Sequence, residues 1–391
     1  MKLAVVTPRY GPQVAGGAET AARLLALRLA ELDGWSVEAL TTTATDATTW
    51  ANELPAGVDD DGGVRVHRFS VSGMRSADFD AATDLVVGRP KATDAQLDEW
   101  IAKQGPVAPE LVAAIAESDA DVVAFHPFLY HPTVAGIAKV ADRAVLHPAA
   151  HDEPMLKLRV YPPVFDAARG LAYWTRPEQE LVEARFQVAS KPAVVVGLGV
   201  ESGSGDPAAA RAAVGLGADD RPYVLCLGRV DDGKGARLLA ECFARYKARR
   251  RSPVRLVYAG PVVHAPPAHP DIVVAGVVDD SVKWGLLQGA LALASPSAFE
   301  SFSIVLMEAW SVGTPALVNA RCPVTVDHAC RSGGGIPFGD YSTFEVALDR
   351  LLNAPTERAA LGAAGRAYVE HNYRWPDVLT RYTAFLKRQL T

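Results

Sequence analysis

Short, wholly apolar runs alternate with amphipathic helical stretches along this chain, and the alternation breaks once and then starts again. The opening MKLAVVTP has the pattern of a strand buried on both faces. It leads through RYGPQVAGGAE, a glycine-rich loop, into a helical pattern over about residues 18–32. Strand patterns follow at 36–43, 64–69, 121–126, 144–147 and 193–196, with helical stretches between most of them. Residues 202–207 (SGSGDP) interrupt the pattern with linker-like composition, and a second alternation begins at 223–227 (YVLCL), with strands expected at 254–258, 272–274, 291–294 and 315–318. Such alternation specifies doubly wound parallel sheets, whose ligands lie beyond the carboxyl ends of the strands.

A length of 391 residues exceeds one comfortable core. We therefore expect a first Rossmann-like domain at 1–200, a second at 201–374, and a terminal helix over about 375–391 that crosses back to the first. The stretches 41–63 and 70–91 read as loops.

Charge and cysteine usage exclude several function classes. Residues 1–199 carry a net charge of −8 and the remainder +2, so the first half is a poor surface for nucleic acid or anionic lipid. The basic run 245–251 (RYKARRR) closes a helical pattern, where cations complement the dipole, and reads as a solvated helix end. Cys226, Cys242, Cys322 and Cys330 lack metal or C-x-x-C spacing and read as reduced thiols. No apolar run reaches membrane-span length, and the segment after Met1 reads as a strand rather than a signal peptide; a cytoplasmic protein is expected. Peripheral membrane contact has no sequence feature behind it.

Three stretches carry candidate chemistry. Gly16 and Gly17, at a helix entry, let another molecule approach the backbone; without a G-x-G-x-x-G spacing, a nicotinamide enzyme is not indicated. Arg229 at the end of the second block's first strand, and Lys234 at the next helix start, place two cations suited to a diphosphate, although a plain turn with solvated charges fits the same residues. In SPSAFESFSIVLMEAWSVGTPALVN, Glu300 and Glu308 bracket the start of a helix whose free amides at 301–304 form a seat for phosphate. On one continuous helix these acids would stand about 12 Å apart along the axis and about 80° around it. That separation suits two ends of one elongated ligand, and each carboxylate suits a pair of sugar hydroxyls. His147 and His151 also have the i, i+4 spacing of a zinc pair, but Pro148 and the lack of a third ligand argue against metal.

GGAE near the start, GRVDDGKG opening the second block and the E-x7-E of PSAFESFSIVLMEAW, in this order, resemble the retaining glycosyltransferases of the GT-B fold, in particular glycosyltransferase family four. The resemblance covers nearly the whole chain. It implies two Rossmann-like domains facing each other across a cleft. It makes Arg229 and Lys234 ligands of the donor diphosphate, and Glu300 and the amides of Phe302, Ser303 and Ile304 ligands of the transferred sugar. Glu308 would hold the ribose, Gly16 and Gly17 would close over donor and acceptor, and His151 would lie near the transferred sugar. Where the family usually has Gly after the Phe, this chain has Ser303. The implied partners are a UDP- or GDP-sugar donor and an acceptor hydroxyl on a sugar, glycolipid or small metabolite, with no metal and no further cofactor. A GT-B sugar-nucleotide epimerase and a non-catalytic nucleotide-sugar binding subunit remain alternatives.

Overall fold

The structure, a computed structural model, describes residues 1–87, 92–217 and 219–390. The chain divides into two compact units, one comprising Met1–Leu198 with Val378–Thr391 and the other Gly199–Asp377.

The first unit is built on β1 (Lys2–Val6), β2 (Ser36–Thr42), β3 (Gly57–Asp61), β4 (Val64–Phe69), β5 (Val122–Phe125), β6 (Ala144–Leu146), β7 (Gly170–Tyr173) and β8 (Ala193–Val195). They form one sheet in the order β3-β4-β2-β1-β5-β6-β7-β8, parallel except for β3, which runs antiparallel along β4. Chain order reverses at β1, whose Val6 is paired with Leu40 on one side and Phe125 on the other. The glycine loop therefore leaves the sheet at its topological switch point, where open α/β sheets bind ligands. Val6, Val123, Phe125 and Leu146 lie in one core cluster with Trp100, Tyr161 and Phe165 from the covering segments.

The second unit carries β9 (Tyr223–Leu227), β10 (Arg255–Ala259), β11 (Ile272–Val274), β12 (Ala292–Ser295), β13 (Ala316–Asn319) and β14 (Gly335–Phe338) in the order β11-β10-β9-β12-β13-β14. Every pairing in it is parallel. Here the switch point lies between β9 and β12, which are neighbours in space although the sequence between them supplies two other strands.

Several expectations need correction. The segment 41–63 contains β3, an exposed edge strand rich in Asp. The segment 70–91 contains the helix Phe79–Val87, and its last four residues lie outside the described ones. Residues 322–335, to which the sequence pattern above assigns no element, hold the helix Pro323–Ser332, with Pro at its first turn, and lead into β14. The basic run does close the helix Ala236–Arg249 with its arginines exposed, Arg245 over the Tyr341 ring and Arg249 and Arg250 paired with Glu345. Among the described residues no helix is long and apolar enough to cross a membrane.

Gly235 fixes how the two loops of the second unit meet. It starts the helix Ala236–Arg249 in the left-handed region, with φ 77°, and a Cβ there would come within 2.4 Å of the Pro296 carbonyl oxygen. The same carbonyl accepts a hydrogen bond from Asn319 Nδ2 at 2.7 Å and cannot easily retreat. Gly235→Ala should accordingly destabilise the second unit by about 3 kcal/mol, combining overpacking with left-handed strain. A denaturation midpoint equal to wild type would show that the two loops do not depend on this contact.

Candidate active site

The loop after β9 and the loop after β12 form one cluster. Asp231 organises the first: its Oδ1 accepts from the Lys234 amide at 2.6 Å and its Oδ2 from Arg229 Nε. Burial alone would raise the Asp231 pKa, but the Lys234 amide and the Arg229 guanidinium hold it below the usual value. Lys234 Nζ then reaches across to Glu300 Oε1 at 2.8 Å. On the Glu300 side, Ser297 Oγ donates to the Phe299 carbonyl at 2.9 Å, which tightens the turn after β12. Arg229, Lys234 and Glu300 are thus assembled together, and each cation is matched to a carboxylate of the chain itself.

Glu300 precedes the helix Ile304–Ser311 instead of lying on it, so the 12 Å helical separation from Glu308 does not apply. Ser303 is the residue at the helix entry. Its φ of 68° and ψ of 72° are left-handed, and its side chain makes no cap to the helix. A serine cap in extended conformation would accept from an amide of the first turn; here no side chain caps the helix, and the Leu306 amide donates to the Ser303 carbonyl at 3.1 Å. Ser303 is 5% exposed, and among the described residues its Oγ has no hydrogen-bond partner. The left-handed backbone costs about 1 kcal/mol and the unsatisfied hydroxyl about 1–3 kcal/mol. Phe302, beside it, is buried edge-on against Tyr373 and His328.

Glu308 is partly buried on the same helix, and the desolvation pushes its pKa up while the ammonium of Lys283 at 3.0 Å pulls it back. Lys283 also lies 3.1 Å from Asp280. Neither Asp231 nor Lys283 stood out in the sequence. Asp231 is legible afterwards as an Asx-type turn in V-D-D-G-K, whereas Lys283 is a lysine on an ordinary amphipathic helix.

In the first unit, Gly16 is the entry residue of the helix Gly17–Ala30. A Cβ on Gly16 would stand 2.3 Å from Glu19 Oε2 and 2.9 Å from Arg9 Nη2, while one on Gly17 would meet nothing within 4 Å. The acid of GGAE is structural: Glu19 accepts from Arg9 Nε at 3.0 Å in a buried ion pair, and Arg9 Nη1 donates to the Thr45 carbonyl at 3.0 Å. Arg9 and Arg75 both lie over the Trp50 ring, at 6.0 and 5.6 Å.

His151 lies in the loop after β6, with its Nδ1 3.4 Å from Glu153 Oε1. Burial pushes the Glu153 carboxyl up to about 7. The loop is held by Glu178, a fully buried acid that accepts from the amides of Ala150 at 2.8 Å and Trp174 at 2.6 Å. Burial raises Glu178 to about 8 despite these amides. His147 is no partner for His151: it stacks on His126 with centroids 4.0 Å apart, and its Nε2 shares a hydrogen bond with the Tyr382 hydroxyl at 2.7 Å. Burial drives both of these imidazoles toward the neutral form. Among the described residues no group of three or more His, Cys, Asp or Glu is placed to hold a metal ion.

Glu153 gives a pH signature. Its folded value of about 7 lies above the ordinary 4.5, so the native state keeps a proton that the unfolded chain releases between those pH values. The associated stability is complete below the unfolded value and is lost as pH rises through the folded one, by up to about 3 kcal/mol. Glu153→Gln should therefore flatten the fall in melting temperature between pH 4.5 and 7.5; an unchanged slope would assign the titration to other groups.

Residues 221–354 match the family model of Glycosyl transferases group 1. A D-inositol 3-phosphate glycosyltransferase of Saccharomonospora viridis is 31% identical over 62% of this chain and 61% of its own length. A GDP-mannose-dependent monoacylated alpha-(1-6)-phosphatidylinositol monomannoside mannosyltransferase of Corynebacterium glutamicum is 35% identical over 23% of this chain and 24% of its own length. The chain thus spans less than two-thirds of the curated relatives it matches. Along its whole length the fold is that of sucrose-phosphate synthase from Thermosynechococcus elongatus, with TM-score 0.71, 18% identity, and coverage of 100% of this chain and 98% of that one. HepE of Anabaena, in complex with UDP and glucose, has TM-score 0.70 and 14% identity, with 99% of this chain and 100% of that chain covered. The switch-point loops, the match of residues 221–354 to the glycosyl transferases group 1 model and the full-length likeness agree on a GT-B fold for this chain.

Proposed function

We propose that this protein transfers a hexose from a nucleoside diphosphate sugar to an acceptor hydroxyl, with retention of anomeric configuration and without a metal ion. The observation that carries the reading is the Lys234–Glu300 pair beside an uncapped helix start at the switch point of the second sheet. In that arrangement Lys234 and Arg229 exchange their carboxylates for the donor diphosphate, and the amides at the helix start hold its oxygens. The freed Glu300 accepts from hydroxyls of the transferred sugar, and Glu308 accepts from the ribose. Cations and amides set in place beforehand stabilise the charge that grows on the leaving diphosphate, the task a divalent ion performs elsewhere. The donor phosphate takes the acceptor's proton, and His151 orients the reacting groups.

The donor is read as a UDP- or GDP-sugar. HepE is described with UDP and glucose, and the mannosyltransferase relative is named GDP-mannose-dependent. For the acceptor, the Saccharomonospora viridis relative is named a D-inositol 3-phosphate glycosyltransferase. Arg75 fits a phosphorylated acceptor here: burial lowers its pKa, and among the described residues it has no carboxylate partner, donating instead to Gln104 Oε1 at 3.0 Å.

The two acids separate by ligand. Glu308→Ala should weaken free UDP or GDP and the donor alike, and Glu300→Ala the donor or its turnover only, each by the roughly 1–3 kcal/mol of an unpaired polar group. Calorimetry showing equal losses of free nucleotide in both variants would sink the assignment.

The reaction itself is tested with UDP- and GDP-sugars, offering inositol 3-phosphate or inositol as acceptor. Activity should survive excess EDTA, the product's anomeric proton should keep the donor's configuration by NMR, and the phosphorylated acceptor should be preferred. Rescue of an EDTA-abolished activity by Mn²⁺ or Mg²⁺, or an inverted product, would overturn the mechanism.

A further inference from the structure

Ser303 combines two local costs at one position, and a glycine would remove both. Its backbone is left-handed, with φ 68°, a conformation that favours glycine. Its hydroxyl is buried and, among the described residues, unpartnered, and it does not cap the helix it begins. The helix-start amides would be presented equally well by Gly, so phosphate binding gives no reason for the side chain. Strain and an unsatisfied group at one residue persist where a function needs them.

We propose that Ser303 is a specificity-determining residue for the donor, its hydroxyl completing its hydrogen bonding on a hydroxyl of the transferred sugar. The inference rests on the glycosyltransferase reading above. The chemistry favours sugar over phosphate. The diphosphate already has Arg229, Lys234 and the amides, all donors, whereas a serine hydroxyl both donates and accepts, as a sugar hydroxyl does. Among the described residues the Ser303 hydroxyl has no hydrogen-bond partner, and Glu300, three residues before it, is engaged by Lys234. A sugar whose hydroxyl points elsewhere leaves the Ser303 oxygen unpaired in a buried site, and a polar contact of this kind discriminates more sharply than an apolar wall.

The test compares wild type with Ser303→Ala and Ser303→Gly. Without ligand, melting temperature should rise in Ser303→Gly, which relieves both costs. Calorimetric affinity for free UDP and GDP should stay within about twofold of wild type, because no charged contact is touched. Affinity and kcat/KM for the preferred donor, chosen from UDP-glucose, UDP-galactose, GDP-glucose and GDP-mannose, should fall about tenfold in both variants, the equivalent of one hydrogen bond. Discrimination between the epimeric donors should narrow by the same factor. Stabilised variants that keep wild-type epimer discrimination would overturn the proposal, and so would equal losses for free nucleotide and donor, which would make Ser303 a phosphate contact. Failure of the wider reading looks different: wild type would then bind neither free nucleotides nor nucleotide sugars, and the proposal would fall with it.

Discussion

The direct pairing of β12 on β9 is the constraint from which the chemistry of the second unit follows. Ala292 and Leu293 sit opposite Val224 and Leu225 with no strand between, so the loops leaving the carboxyl ends of both strands share one edge. The Gly235 backbone closes against the Pro296 carbonyl, and Asn319 at the end of β13 holds that carbonyl in place. These are contacts of the backbone and a neutral amide. They bring Lys234 and Glu300, 66 residues apart, to 2.8 Å. The charged groups are consequences of the packing and do not cause it.

Each cation of the proposed site is neutralised within the chain: Lys234 by Glu300, Arg229 by Asp231, Lys283 by Glu308. For Lys283 and Glu308, the least exposed of these pairs, the alternative is an uncompensated buried charge, which costs more than the pair itself is worth. Under the proposed reaction a nucleoside diphosphate sugar offers both halves of an exchange, phosphates for the cations and hydroxyls for the carboxylates. The ground-state gain is then a difference between two satisfied arrangements. Interaction with charge that appears only as the sugar–phosphate bond breaks has no counterpart in the unliganded pairs, and such differential stabilisation accelerates the chemical step.

Much of this was legible in the chain itself. The apolar strands announced themselves because strands buried on both faces carry runs of Val, Leu and Ala, and the turn chemistry around Gly228 and Gly235 marked the loop after β9. β3 escaped because GVDDD lies exposed on a sheet edge, where no apolar pattern is required. The helix Pro323–Ser332 escaped because its CPVTVDHACRS stretch mixes β-branched and polar residues, although Pro at the first turn was a start signal. In the candidate site, the residues on contiguous motifs were readable. Lys283 was not, since it joins Glu308 from another helix 25 residues away, and a left-handed Ser303 cannot be inferred from a serine at a helix entry.

The histidines show how the fold assigns roles that spacing leaves open. On a continuous helix His147 and His151 would share a face, and a metal or a paired function would be reasonable. Instead the chain leaves β6 through Pro148 and a left-handed Ala149, φ 52°, and Glu178 fixes the amide that follows. The turn separates the two rings. His147 is fully buried against His126 and Tyr382, where desolvation keeps it neutral and removes it from proton chemistry. His151 keeps 30% of its side chain exposed beside a carboxyl that titrates near neutrality. Of these two imidazoles His151 alone keeps exposed surface, and Glu178, holding the Ala150 amide, fixes the turn that separates them.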